Sequence, residues 1–256
     1  MMTVTVQQDT RDLLGGNSLM KVESPSLRLN KFLQYERRAD HKELERICAC
    51  ANNFGKKASL PVVSGALSFK MRLGGRMMVN QSGGILNAGL ELHRNFGCPM
   101  IPGSALKGIA RHAAWCDWKD AEEAQDVEKS KKMASMIAEV FGNPTGDKSL
   151  NDFLKKLKVD EQAGSVAFLP ALPASSDWRL VVDVLTSHGG CDTKNPVPVF
   201  FPAVEKGATF NFSLNPVHGR GNKEKLDFAV KYLKKGLSEN GAGAKTAAGY
   251  GWFKEV

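Results

Sequence analysis

Two segments carry the residue types and spacings that suit an anion. The first is PGSALKGIAR, residues 102–111. Pro102, Gly103 and Ser104 stop an extended chain and open a helix, with Ser104 the expected N-cap. On that helix Lys107 and Arg111 stand at i and i+4 on one face, with Gly108 between them. Leu106, Ile109 and Ala110 turn the other way, toward a core. Two like charges at that spacing cost about a few tenths of a kcal/mol. A phosphate between them removes the repulsion, and the nearby helix N-terminus adds to the attraction. The competing reading is an ordinary solvated basic face, so both side chains are expected to be exposed.

The second segment is GAGAKTAAGYG, residues 241–251, with the pattern G-x-G-x5-G-x-G. Gly241, Gly243, Gly249 and Gly251 imply left-handed backbone or a close approach of the chain to something. Successive N–H groups in such a loop form an anion nest, with Lys245 and Thr246 at its centre. The competing reading is a glycine-rich turn packed under the preceding helix. Tyr250 offers a ring on which a base could stack, against packing beside Trp252 and Phe253. Two familiar phosphate motifs fail. A P-loop needs its first glycine five residues before the Gly-Lys pair, and here Ala244 precedes Lys245 while position 239 is Glu. A dinucleotide fingerprint needs a third glycine where Thr246 stands, and a following helix for which too little chain remains. No ATP, NAD or other cofactor is expected.

These segments need elements to hold them. The helix capped by Ser104 should run to about 118, and a second from about 120 to 141 has acids early and bases late, as the helix dipole favours. A short helix is expected from a capping box at Asp40 and Glu43 to about Cys50. Residues 65–79 read as a strand pair broken by Gly74 and Gly75, and 84–92 as a possible further strand. Short strands are expected at about 164–170, 178–184, 208–214 and 250–255. The Gly- and Pro-rich stretch 186–202 reads as a long loop. Residues 223–238 form an amphipathic helix on Leu226, Ala229, Val230, Leu233 and Leu237. The mixed order of strands and helices indicates an α+β fold.

Composition narrows the class. The chain has 256 residues, 42% apolar and 24% charged, the make-up of a globular protein. Lys plus Arg is 35 and Asp plus Glu is 27, a net charge of +8 that suits a polyanionic partner. No stretch approaches the ~18 apolar residues of a membrane span, and the N-terminus has no secretory pattern. Cys48, Cys50, Cys98, Cys116 and Cys191 are odd in number and irregularly spaced. A cytoplasmic protein with reduced thiols and no structural zinc is the expectation. The five histidines are scattered and form no ligand pair.

Together, the P-G-S-x-L-K-G-x-x-R helix start and the late G-x-G-A-K-T-x-x-G-Y-G loop resemble the RAMP superfamily of CRISPR-Cas proteins. The intervening segments sharpen this: Phe141-Gly142, GSVAFLPA from Gly164, DVLTSH from Asp183, PVPVFFP from Pro196 and GATFNF from Gly207 occur in family order. They resemble the subunit family that stands sixth in the Cmr (type III-B) effector, over about residues 84–254. The resemblance implies a ferredoxin-like, RRM-related fold with insertions at about 119–160 and 186–202. This RAMP domain would occupy 61–256, after an N-terminal arm and short helix in 1–60. It implies a non-catalytic subunit at the end of the effector that carries the 3′ part of the guide RNA in antiviral defence. The implied partners are the guide RNA, the backbone RAMP subunit, the other terminal RAMP subunit and the small helical subunit, with target RNA met indirectly.

Carried over by motif, the RNA-binding residues are Gly103, Ser104, Lys107, Gly108, Arg111, Gly241, Gly243, Lys245, Thr246, Gly249, Tyr250 and Gly251. Two other functions stay open. One is a guide-processing endoribonuclease, for which His112 and His188 are the candidate acid/base groups. The other is a protein–protein scaffold, in which Lys107 and Arg111 meet acidic neighbours.

Overall fold

In β1 (Leu67–Leu73) alternate residues have opposite fates: Met71 and Leu73 are buried, while Ser68, Lys70 and Arg72 are exposed. One face of this strand therefore belongs to a core and the other to solvent. The structure is a computed structural model that describes residues 24–30, 41–55, 65–78, 91–143, 148–187 and 197–256. β1 pairs antiparallel with β6 (Thr209–Pro216) on one side and with β7 (Phe253–Glu255) on the other. β2 (Val166–Phe168) pairs with the far edge of β6, followed there by the two-residue β3 (Leu172–Pro173). The strand order is β2-β6-β1-β7.

Helix α3 (Gly103–Glu123) joins β1 to β2, and α6 (Lys223–Glu239) joins β6 to β7. Each crossover links two strands of the same direction with an antiparallel strand between them. That interleaving is the β-α-β-β-α-β ferredoxin-like topology. The helices lie on the sheet face that carries Phe69, Phe210, Phe212, Leu214 and Phe253. Phe253 meets Phe210 and Phe212 edge-on, with centroids 5.8 and 5.5 Å apart. Each such pair adds about 0.5–1.5 kcal/mol beyond its buried area.

Two insertions elaborate this frame. α4 (Val127–Phe141) and α5 (Lys148–Lys156) follow α3. One long helical stretch was expected to break near residue 119; α3 instead runs to Glu123. The chain turns at Gln125, in left-handed backbone, and Asp126 caps α4 by accepting from the Lys129 N–H. The second insertion corrects the expected 186–202 loop. β4 (Leu180–Ser187) and β5 (Val197–Val204) form an antiparallel hairpin with Asp183 opposite Phe201. Pro198 and Pro202 disguised the strand. Beyond β4, β5 pairs among the described residues only with Met77, at Val204, so its outer edge is unpaired at Pro198 and Pro202 and tolerates proline there.

The sequence from 65 to 79 is likewise not a hairpin. After Gly74 and Gly75 the chain leaves the sheet, and Met77 and Met78 make single bridges to Val204 and Ala244. Of the proposed 84–92 strand, residues to 90 lie outside the described ones, and Leu92 bridges Pro99. Among the described residues, two further helices precede the sheet, α1 (Pro25–Asn30) and α2 (His41–Gly55). α2 is longer than the expected helix to Cys50. Leu44, Ile47, Cys48 and Ala51 join the main core, and Asn52 exchanges two hydrogen bonds with the Leu180 backbone at 3.0 and 2.8 Å. α2 is therefore built into the same core as the sheet. Asp40 of the capping box lies outside the described residues.

Candidate nucleic-acid interface

The start of α3 is held by the sheet. Gly103 presses on β2: a Cβ there would overlap the Phe168 carbonyl oxygen, so only glycine fits. Pro102, not Ser104, is the N-cap; its carbonyl accepts from the Leu106 N–H at 3.1 Å, and no side chain caps the helix. The contact at Gly103 starts the helix two residues earlier than the capping preference suggested, leaving Ser104 exposed within the first turn. Leu106 and Ala110 are buried, as the spacing required. Ile109 packs on α6, where a Cβ at Gly236 would lie 2.6 Å from its Cγ2.

Lys107 and Arg111 occupy the flank turned away from α6. Both are half-buried, not exposed as expected. Burial first, and the nearby Arg111 second, lower the Lys107 ammonium below its ordinary pKa. The like-charge strain inferred from spacing is thus present in the fold. Gly108, on the same flank, has nothing within 4 Å of where a Cβ would stand. His112 is exposed and stacks on Trp115 with centroids 6.0 Å apart; its Nε2 lies 3.8 Å from the Cys116 Sγ.

The 241–251 loop starts one contact away. The N–H groups of Asn240 and Gly241 both donate to the Gly236 carbonyl, closing α6 against the turn of α3 that holds Ile109. The loop then folds on itself and on the segment after β1. The Ala242 N–H donates to Gly251, the Gly251 N–H to Arg76, and the Ala244 N–H to Met78, at 2.8, 2.7 and 2.8 Å. Gly251 has φ +72°, and a Cβ there would overlap the Ala242 carbonyl oxygen. Gly241 and Gly251 are buried. They do not face RNA as the motif suggested; they let two chain segments touch. The exposed part is Gly243 and the stretch from Ala247 to Gly249, with Lys245 and Thr246 half-buried. Lys245 is left-handed at φ 61° and leads into a 3₁₀ turn, Thr246–Ala248. The N–H groups of Gly243, Lys245, Thr246 and Ala247 have no partner among the described residues, which reduces the nest to these four.

Tyr250 is corrected outright. It is 8% exposed, meets Phe201 edge-on at 5.8 Å, and joins Met78 and Ala203 in a small second core. Its hydroxyl donates to Asp183 Oδ2 at 2.7 Å, while Arg76 holds Asp183 Oδ1 at 2.7 Å. Burial alone would raise the Asp183 pKa. The bonds from Tyr250, Arg76 and the Val184 N–H outweigh it and hold the carboxyl below the ordinary range. Burial and the contact with Asp183 push the Tyr250 hydroxyl up to about 12. This cluster ties the loop to the β4-β5 hairpin and leaves the Arg76 side chain 43% exposed at its rim. The exposed ring beside the loop is Trp252, at 37%, whose indole N–H donates to the Thr246 carbonyl at 2.9 Å.

Arg76, Asp183 and Trp252 were not singled out from sequence. Only Trp252 carried a usable signal, since it alternates with the core residue Phe253. His188 and Cys191 lie outside the described residues. Among the described residues no group of three or more His, Cys, Asp or Glu converges as a metal site, and no helix is long and apolar enough to cross a membrane.

Known proteins resemble this chain in sequence and in fold. The CRISPR system Cmr subunit Cmr6 of Pyrococcus furiosus is 25% identical over 235 aligned residues, covering 74% of this chain and 68% of that protein. The crystal structure of Cmr6 from Pyrococcus furiosus superposes with TM-score 0.44 at 24% identity, over 75% of this chain and 97% of that one. A chain of the cryo-EM structure of the type III-B Cmr-beta bound to cognate target RNA gives TM-score 0.50 at 18% identity. It covers 97% of this chain and 76% of its own length, and shares the fold. The family model of the RAMP superfamily matches residues 15–254, reaching well upstream of the motifs from which the resemblance was read. On that match over most of its length, the chain belongs to the RAMP superfamily.

Proposed function

We propose that this chain is a non-catalytic, RNA-binding subunit of a type III-B CRISPR effector, holding the 3′ part of the guide RNA at one end of the complex. The observation that carries the reading is the α3 flank. Lys107 and Arg111 are half-buried side by side, the Lys107 ammonium is lowered, and Gly108 leaves open space beside them. A phosphodiester there relieves a repulsion already present in the fold, and bare Gly108 lets the strand approach closely. Lys245, Thr246 and Arg76 extend the cationic and donor surface at the nearby loop. The similarity to Cmr6 supports RNA and the other Cmr subunits as partners: the backbone RAMP subunit, the other terminal RAMP subunit and the small helical subunit. The reading assigns this chain no bond-breaking step. The partners of His112 are a tryptophan ring and a thiol, not a carboxylate that would set its tautomer for acid/base work. Antiviral defence in the cytoplasm is the corresponding cellular role.

Lys107→Ala with Arg111→Ala tests it. Two lost phosphate contacts flatten the salt dependence of single-stranded RNA binding by about 1.4 in log–log slope. The melting temperature should not fall. An unchanged slope removes these residues from the RNA surface. New RNA ends on incubation with labelled repeat precursor would replace the proposal by the endoribonuclease.

A further inference from the structure

The sheet face opposite the helices has a role in none of the above. Its β1 residues are Ser68, Lys70 and Arg72, and its β6 residues include Asn211 and Ser213. On β7 the core residue Phe253 separates Trp252 from Lys254, so both of these turn outward. The register sets Arg72 directly opposite Lys254, with Lys70 two residues along the same face. Like charges directly opposed on neighbouring strands are destabilising. No acid relieves them: Lys70, Arg72 and Lys254 have no ion pair among the described residues. Glu255, next in sequence to Lys254, points away and is held by Lys234 of α6 at 2.9 Å. A Cβ at Gly74 would stand 3.3 Å from the Lys254 Cε, so the strand end is bare where that side chain crosses it.

Trp252 stands at the end of this cationic row. Its indole N–H is already satisfied by the Thr246 carbonyl, so what it offers a ligand is its ring face. The row therefore continues, through Trp252 and Thr246, into the exposed part of the 241–251 loop.

We infer that the outward face of β1 and β7 is a second RNA-binding surface, on which Lys70, Arg72 and Lys254 hold successive phosphates and Trp252 stacks a base of a single strand leaving the loop. The inference rests on the RNA-binding reading above. An acidic protein segment would match the cations. A solvent-exposed ring with its polar group already spent matches a nucleobase, since stacking tolerates any base and adds about 1–3 kcal/mol.

The test uses the full chain and a single-stranded RNA substituted with 5-iodouridine. Ultraviolet cross-linking and peptide mapping should give an adduct on Trp252 that Trp252→Ala abolishes. Arg72→Ala with Lys254→Ala should flatten the salt slope by about 1.4 at unchanged melting temperature. Lys107→Ala with Arg111→Ala is measured in parallel. If only that second pair changes the slope, the sheet surface is overturned and the proposed function stands. If only the Arg72 and Lys254 pair changes it, the sheet surface stands and the α3 site falls. Loss of a co-assembled protein subunit with RNA binding intact makes the face a protein contact and overturns the inference. A full chain that binds no RNA overturns both.

Discussion

The start of α3 and the 241–251 loop each carry residues suited to an anion, yet the fold treats them oppositely. On α3 the helix period does the sorting. Leu106 and Ala110 go inward, and Lys107, Gly108 and Arg111 share an open flank. In the loop, half of the motif glycines are consumed by the protein itself. Gly241 and Gly251 are buried where two segments cross, and Tyr250 is locked to Asp183. A glycine in a motif thus has two opposite meanings: room kept for a ligand, or room used by the chain. The environment of the missing Cβ tells them apart, open space at Gly108 and a backbone oxygen at Gly251.

Substituting those two glycines gives the sharpest contrast. Gly251→Ala combines a left-handed φ with a steric overlap, so it should cost on the order of 3 kcal/mol and detach the loop from Arg76. Urea denaturation reads this directly. A loss below about 1 kcal/mol would mean that the loop relaxes freely and that its glycines are not structural.

Tyr250→Phe is a milder probe of the same region. It removes one hydrogen bond to a charged, partly exposed partner, about 1 kcal/mol. It also changes the acid response. The Asp183 carboxyl is lowered in the fold from an ordinary value of 3.8. Its contribution is therefore present above that value and is lost as pH falls from it through the lower, folded value. Without Tyr250 the folded value rises toward 3.8, so the variant should lose less additional stability across this window than the wild type. Parallel pH–stability curves would remove Asp183 as the group that fastens the loop.

The smallest effect, of opposite sign, belongs to Gly108→Ala. A mid-helix glycine with open space around it should gain about 0.5–1 kcal/mol on substitution. The same change should weaken RNA binding if a strand lies against this flank. Higher stability with undiminished RNA affinity would place the strand elsewhere and blunt the contrast with Gly251.

Much of the frame was legible along the chain. α6 has its expected limits to within a residue, because Leu226, Ala229, Leu233 and Leu237 recur with the helix period. β2, β4, β6 and β7 all overlap the short strands expected. The β4-β5 hairpin was missed because prolines at 198 and 202 argue locally against a strand; only its position as a two-stranded sheet makes them harmless. The site was legible in a similar measure. On α3, Lys107 and Arg111 share the flank their spacing gave them, though half-buried, whereas Tyr250 and Trp252 exchanged roles. Either ring could have been the outward one until Phe253 was committed to the core beside Phe210 and Phe212.

What the sequence determined by itself is whatever acts within a few residues: the face shared by Lys107 and Arg111, the length of α6, the need for bare backbone in the 241–251 loop, and the ordered motifs that mark the superfamily. Helix and strand periods are properties of the backbone, and they act wherever the chain lies. Tertiary structure alone decided which glycines are open, which ring is exposed, and that Arg76 and Tyr250 clamp Asp183. Asp183 lies 67 residues from Tyr250 in the chain, and their 2.7 Å bond exists only because the β4-β5 hairpin folds over the loop. Burial is set by which surfaces meet, and no local pattern contains that meeting.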